Sequence, residues 1–77
     1  MIHWSKRALK SFDKLDPVTR ERVFSAISKL PQGNIKPLSG KLKGYFRLRV
    51  GKWRVIFKRI GQDFIIVDIK HRGDAYR

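Results

Sequence analysis

Apolar residues recur along this chain with two different periods, and the change of period divides it into a helical part and a strand part. Met1-Ile2-His3-Trp4 opens as a short apolar stretch suited to an edge strand. Ser5 can cap a helix, because its hydroxyl can accept a free backbone N–H of the first turn. Ala8, Leu9, Phe12 and Leu15 then recur at helical spacing, with Lys6, Arg7, Lys10 and Lys14 pointing away. Asp16-Pro17 is a second start, with Asp at the cap and Pro at the first helical position. Val23, Phe24, Ile27 and Leu30 form the next apolar stripe, which Pro31 and Gly33 stop. The pattern predicts two amphipathic helices in a hairpin with almost no loop between them. Residues 31–44 hold two of the three prolines, three of the six glycines, and Leu38 and Leu42. They are expected to form a connecting loop with two apolar anchors.

Beyond residue 44 the period falls to two. Phe46, Leu48 and Val50 alternate with Tyr45, Arg47 and Arg49, as in a strand with one buried face. Gly51-Lys52 suits a two-residue hairpin turn with glycine first. Trp53 to Ile60 is the return strand, Gly61-Gln62-Asp63 a second turn, and Phe64 to Lys70 a third strand. A two-residue first turn opposes Val50 to Trp53, Leu48 to Val55 and Phe46 to Phe57. Every pair is apolar, which supports that register. A three-residue second turn then sets Phe57 against Val67 and Val55 against Ile69. The fold class expected is α+β, a two-helix hairpin on one face of a twisted, mainly antiparallel sheet of three to four strands, in a single domain spanning 1–77.

The same register fixes the other face. Arg49 falls opposite Arg54, Arg47 one pair along, and Lys70 beside Arg54, with Asp68 the only acid near them. Ile56, Phe64 and Ile66 are placed on this face too. Like charges directly opposed cost stability, about 0.2–1 kcal/mol per pair, so a small domain that tolerates them is expected to bind an anion there.

Charge widens that expectation to the whole molecule. Nineteen Lys and Arg against six Asp and Glu give a net charge of +13 over 77 residues. The natural partners of such a chain are a phosphate backbone or an acidic protein. There is no cysteine, hence no disulfide or thiolate metal site. No apolar run approaches the ~20 residues of a membrane span and no signal-peptide pattern opens the chain, so a soluble cytoplasmic protein without membrane partners is expected. No acidic cluster exists and the two histidines lie at opposite ends, so neither a metal nor a cofactor is expected. The conventional acid–base groups of the second half are His71 and Tyr76. A tyrosine, ordinarily near pKa ~10, becomes a base where surrounding cations lower that value.

Two segments carry a family resemblance. Leu38-Ser39-Gly40-Lys41-Leu42 followed by Tyr45-Phe46-Arg47-Leu48-Arg49-Val50-Gly51-Lys52-Trp53-Arg54-Val55 resembles the central signature of the RelE/ParE toxin superfamily, a Leu-x-Gly-x-Leu loop followed by Tyr-Arg-x-Arg-x-Gly-x-Tyr/Trp-Arg-Val. The tail His71-Arg72-Gly73-Asp74-Ala75-Tyr76 is similar to the family's closing His-Arg-x-x-x-Tyr, and the likeness spans essentially the whole chain. It implies the toxin of a type II toxin–antitoxin system, restrained by a small acidic RelB-like antitoxin. For the RelE branch it implies metal-independent cleavage of messenger RNA in the ribosomal A site, through 2′-OH attack. Matched by position, Arg47 and Arg54 would hold the scissile phosphate. Arg72, or its neighbour Lys70, would help the leaving oxygen, and Tyr76 would act as base or stacking group. Tyr45, Arg49, Lys52, Lys70 and His71 would contact RNA. Tyr45 stands where some members carry a lysine. The alternatives are a ParE-like inhibitor of DNA gyrase and an RNA-binding module without catalysis; the joint presence of Arg47, Arg54, Arg72 and Tyr76 favours the ribonuclease.

Overall fold

The computed structural model describes residues 1–72. Strand β1 (Ile2–Trp4) leads into helix α1 (Lys6–Asp13) and helix α2 (Pro17–Ser28). Strand β2 (Ile35–Pro37), a 3-10 turn (Gly40–Leu42), and strands β3 (Tyr45–Val50), β4 (Trp53–Ile60) and β5 (Asp63–His71) follow. Both helix starts form as the sequence indicates. Ser5 Oγ accepts from the Ala8 N–H at 3.0 Å, and the Asp16 carboxylate accepts from the Thr19 N–H at 3.2 Å.

The sheet has five strands in the order β1-β5-β4-β3-β2, more than the three to four expected. It is antiparallel except for β1, which runs parallel to β5. The additional strand is β2, inside the segment expected to be loop. Three residues with Pro37 among them show no readable period, yet Ile35 pairs with Leu48 and packs against the core. Gly33 (φ +131) makes this possible, since a Cβ there would lie 2.8 Å from Leu48 Cδ1.

The β3–β4 hairpin has the expected register, with Val50 opposite Trp53, Leu48 opposite Val55 and Phe46 opposite Phe57. The β4–β5 hairpin departs from expectation. Ile60 pairs with Asp63 across a two-residue turn, Phe57 faces Ile66 rather than Val67, and a bulge between Ile56 and Phe57 shifts the pairing. Beyond the bulge Ile56 faces Asp68 and Val55 faces Ile69, so the second half of the strand matches the expected register. Phe64 and Ile66 therefore enter the hydrophobic core instead of the basic face. A one-residue slip reverses every side chain it covers.

That core lies between the sheet and the helices and contains Ala8, Leu15, Val23, Ile27, Leu48, Val55, Phe57, Phe64, Ile66 and Ile69. Phe12 and Leu30 pack against it partly buried, and two stripe residues do neither. Leu9 is 48% and Phe24 58% exposed, because Ala8 and Val23, one position earlier on each helix, take the inward direction.

Candidate nucleic-acid interface

On the sheet face turned away from the core, pairing lays the charged residues out in rows. Arg49, Arg54 and Lys70 form one row across β3, β4 and β5, and Lys36, Arg47, Ile56 and Asp68 form the next. Tyr45, Lys58 and Ile65 make a third, in which Lys58 Nζ sits 4.5 Å above the Tyr45 ring centre. The like-charge pairing inferred from the sequence is real, and its three cations stand side by side.

The two central arginines are less open than expected. Arg47 is 8% and Arg54 7% exposed, although neither belongs to the hydrophobic core. Arg54 Nη1 donates to the carbonyls of Gly51 (3.0 Å) and Trp53 (3.1 Å), so its guanidinium curls onto its own hairpin turn. Arg47 has no hydrogen-bond or ion-pair partner among the described residues, and no buried side-chain nitrogen is left unpaired. Its side chain is therefore largely covered on the face while no described residue engages its guanidinium. Rigid strands thus hold one guanidinium already ordered and one that no described residue engages, a combination suited to the oxygens of a phosphate.

Around this pair stand Arg49 and Lys52, both exposed. The Lys52 carbonyl accepts from the Arg72 backbone N–H at 2.7 Å, which ties the exit of β5 to the β3–β4 turn. Arg72 is thereby brought to the Arg54 end of the face. His71 is not brought to the face. It pairs with Trp53 and meets that ring edge-on at 5.2 Å, a register position on the helix-packed side. Tyr76 lies outside the described residues.

Sequence reasoning passed over two cations. Arg7, assigned to the solvent side of α1, lines a cleft of about 280 Å³ with Leu42, Tyr45, Ile56, Val67, Asp68 and Lys70. A helical repeat marks it as non-core but cannot show that α1 lies along β5. Arg22 reaches the β3–β4 turn, its Nη2 3.3 Å from where a Gly51 Cβ would stand. Gly51 has φ +59, a conformation glycine adopts without cost and a side chain would strain, and a Cβ there would also press on the Arg22 guanidinium. No group of three or more potential metal ligands occurs among the described residues, and no described helix is long and apolar enough to cross a membrane.

Residues 2–76 match the family model of the ParE toxin of type II toxin–antitoxin systems, parDE. No curated protein matches the chain. Among solved structures, the toxin–antitoxin complex RelBE2 from Mycobacterium tuberculosis contains a chain 25% identical, with a TM-score of 0.83 over 96% of this chain and 92% of that one. A chain of the archaeal RelE–RelB complex from Pyrococcus horikoshii OT3 is 22% identical, with a TM-score of 0.76 and 96% of each chain covered. The YoeB/ParE toxin from Agrobacterium tumefaciens shares the fold at 18% identity and a TM-score of 0.74, covering 91% of this chain and 95% of that one.

Proposed function

The chain belongs to the ParE toxin family of type II toxin–antitoxin systems, and within it we propose an endoribonuclease that cleaves messenger RNA on the ribosome, in the cytoplasm. The observation that carries this reading is the row Arg49, Arg54 and Lys70 with Arg47 beside it, three opposed cations and a fourth on one rigid face. Cleavage by the RNA's own 2′-hydroxyl needs a proton removed there, charge held on the phosphate and a proton for the leaving 5′-oxygen. Arg47 and Arg54 take the phosphate oxygens. Lys70, or Arg72 at the β5 exit, serves the leaving oxygen, and Tyr76 removes the 2′-hydroxyl proton. The product would carry a 2′,3′-cyclic phosphate. Tyr45, Arg49 and Lys52 extend the contact along the RNA, and Arg7 is added to them from the cleft.

Purified protein added to ribosomes translating a defined message should yield discrete cleavage within the codon in the A site, with a cyclic phosphate end. Intact RNA under those conditions, with ribosome binding retained, would leave only an RNA-binding module. The family match itself favours a second reading, inhibition of DNA gyrase, which the ParE name brings. A gyrase supercoiling assay run on the same preparation separates the two. The proposed restraining partner is a small acidic antitoxin. Charge complementarity to a face of Arg47, Arg49 and Arg54 supports it, and Phe64 and Ile66, which the sequence register places on that face, offer it no apolar contact because both side chains are in the core.

A further inference from the structure

Among the described residues one acid is buried, and it stands among the arginines. Asp68 is 7% exposed, and its place there depends on the bulge. From Ile60–Asp63 to Phe57–Ile66 the β4–β5 pairing is regular. Continued unchanged, it would set Asp68 opposite Val55, in the core, and Ile69 opposite Arg54. The extra residue, Val67, reverses this by facing Asp68 to Ile56 and Lys70 to Arg54 while sending Ile69 inward. The bulge is itself secured, because the Val67 carbonyl accepts from Ser5 Oγ at 2.7 Å.

The carboxylate is fixed on one side and open on the other. Its Oδ1 accepts from Ser11 Oγ at 2.9 Å and from the Ile69 N–H at 2.8 Å. Its Oδ2 lies 3.9 Å from Lys70 Nζ, on a side chain one-third exposed. Lys70 is flanked in its row by Arg54, with Arg49 beyond, and like charges at such spacing push a flexible ammonium outward. We infer that Asp68, clamped by Ser11 of α1, is a positioning residue that holds the Lys70 ammonium on the face occupied by Arg47 and Arg54. The inference deepens the ribonuclease reading, which assigns Lys70 a part near the leaving oxygen, but its structural half stands without cleavage. Lysine is the side chain that needs such an anchor, being a point charge on four rotatable carbons where arginine has a pre-formed fork.

Asp68→Asn is the direct test, because its amide oxygen still accepts from Ser11 and Ile69 while the charge facing Lys70 is gone. Side-chain relaxation of Lys70 by NMR should show its Cε mobility rising to that of exposed Lys10 and Lys52. Cleavage at saturating ribosomes should fall roughly tenfold, below the ~10²-fold that a 1 Å misplacement can cost, with KM little changed. The double variant with Lys70→Ala should be no slower than Lys70→Ala alone. A mere tether between α1 and the sheet would survive Asp68→Asn, leaving Lys70 as ordered as before. That result, or additive losses in the double variant, overturns the inference. If Asp68→Asn does not fold, Ser11→Ala makes the same NMR comparison with one hydroxyl removed. If the wild-type protein cuts no RNA, the ribonuclease reading fails, and Lys70 mobility alone decides whether Asp68 positions it.

Discussion

Arg54 offers the sharpest test of the basic face, because folding and chemistry make opposite demands on it. The residue is 7% exposed and its guanidinium donates to two turn carbonyls. Hydrogen bonds from a charged donor contribute about 1.5–3 kcal/mol each where fully formed, and less here because both share one nitrogen beside solvent. Removing the side chain also relieves repulsion from Arg49 and Lys70, about 0.2–1 kcal/mol for each pair. Arg54→Ala should therefore cost stability only modestly, about 1–2 kcal/mol, and leave a folded protein. Catalysis has no such compensation. Loss of one donor to a developing oxyanion typically costs ~10²–10³-fold in rate, and weaker phosphate contact should raise KM as well. Arg54→Lys keeps the charge but not the fork, so it should recover binding more than rate. The assay is single-turnover cleavage on programmed ribosomes beside urea denaturation of the same variants. Cleavage by Arg54→Ala within tenfold of wild type would refute the assignment, and so would a rate loss explained by unfolding.

Tyr76→Phe keeps the ring and removes the hydroxyl, so cleavage should fall ~10²–10⁴-fold with ribosome binding near normal; a wild-type rate would leave the tyrosine a stacking residue. Cleavage of short RNA models, where these are cut, should persist in EDTA, and its abolition there would defeat the metal-free mechanism. Ile66→Ala should destabilise the protein by about 2–5 kcal/mol in chemical denaturation, as for a core site, against about 0.5 kcal/mol or less for an exposed surface residue. The Met1 amine, 2.9 Å from Asp63, lowers that carboxyl below its ordinary value by hydrogen bond and charge. A depressed folded-state value means the stabilisation is present above the ordinary aspartate range and lost as pH falls through the lowered one. Asp63→Asn should thus differ from wild type in denaturation at pH 6 and converge with it near pH 2; a gap that persists in acid would assign the effect to something other than this charge.

What was legible in the sequence follows from how much context each element needs. The β3–β4 register could be derived because three consecutive pairs are apolar and Gly51 supplies the turn's positive φ. Both helix starts were equally local, since Ser5 and Asp16 cap within three residues of themselves. β2 was not legible. Three residues cannot display a period, and what orders Ile35–Pro37 is Leu48, distant in sequence, pressed against Gly33.

The candidate site was legible on β3 and β4 and only in part on β5, and the bulge explains the difference. A period of two states which residues share a face only while the strand stays regular. In Phe64-Ile65-Ile66-Val67-Asp68-Ile69 the apolar residues run on without alternation, so the sequence does not mark where the phase changes. A single turn length assumed for the whole hairpin yielded the correct partners for Val55 and Arg54 and the wrong ones for Phe57 and beyond. The helical hairpin posed the same difficulty for Arg7. Its exclusion from the core is a property of α1 alone, whereas its position beside Tyr45 and Lys70 depends on how α1 lies along β5. The site is therefore assembled by two long-range facts, one extra residue in β5 and the docking of α1, and Asp68 lies where they meet, held by Ser11 and aimed by Val67. Deleting Val67 would remove the bulge yet keep Asp68 opposite Ile56 and Ile66 opposite Phe57. Both faces should keep their residues, and the loss should be confined to the carbonyl that Ser5 holds. A folded deletion variant that retains the wild-type pattern of cross-strand contacts by NMR would support this account of the register. A variant whose Ile69 side chain loses its contacts with Val55 and the core would refute it.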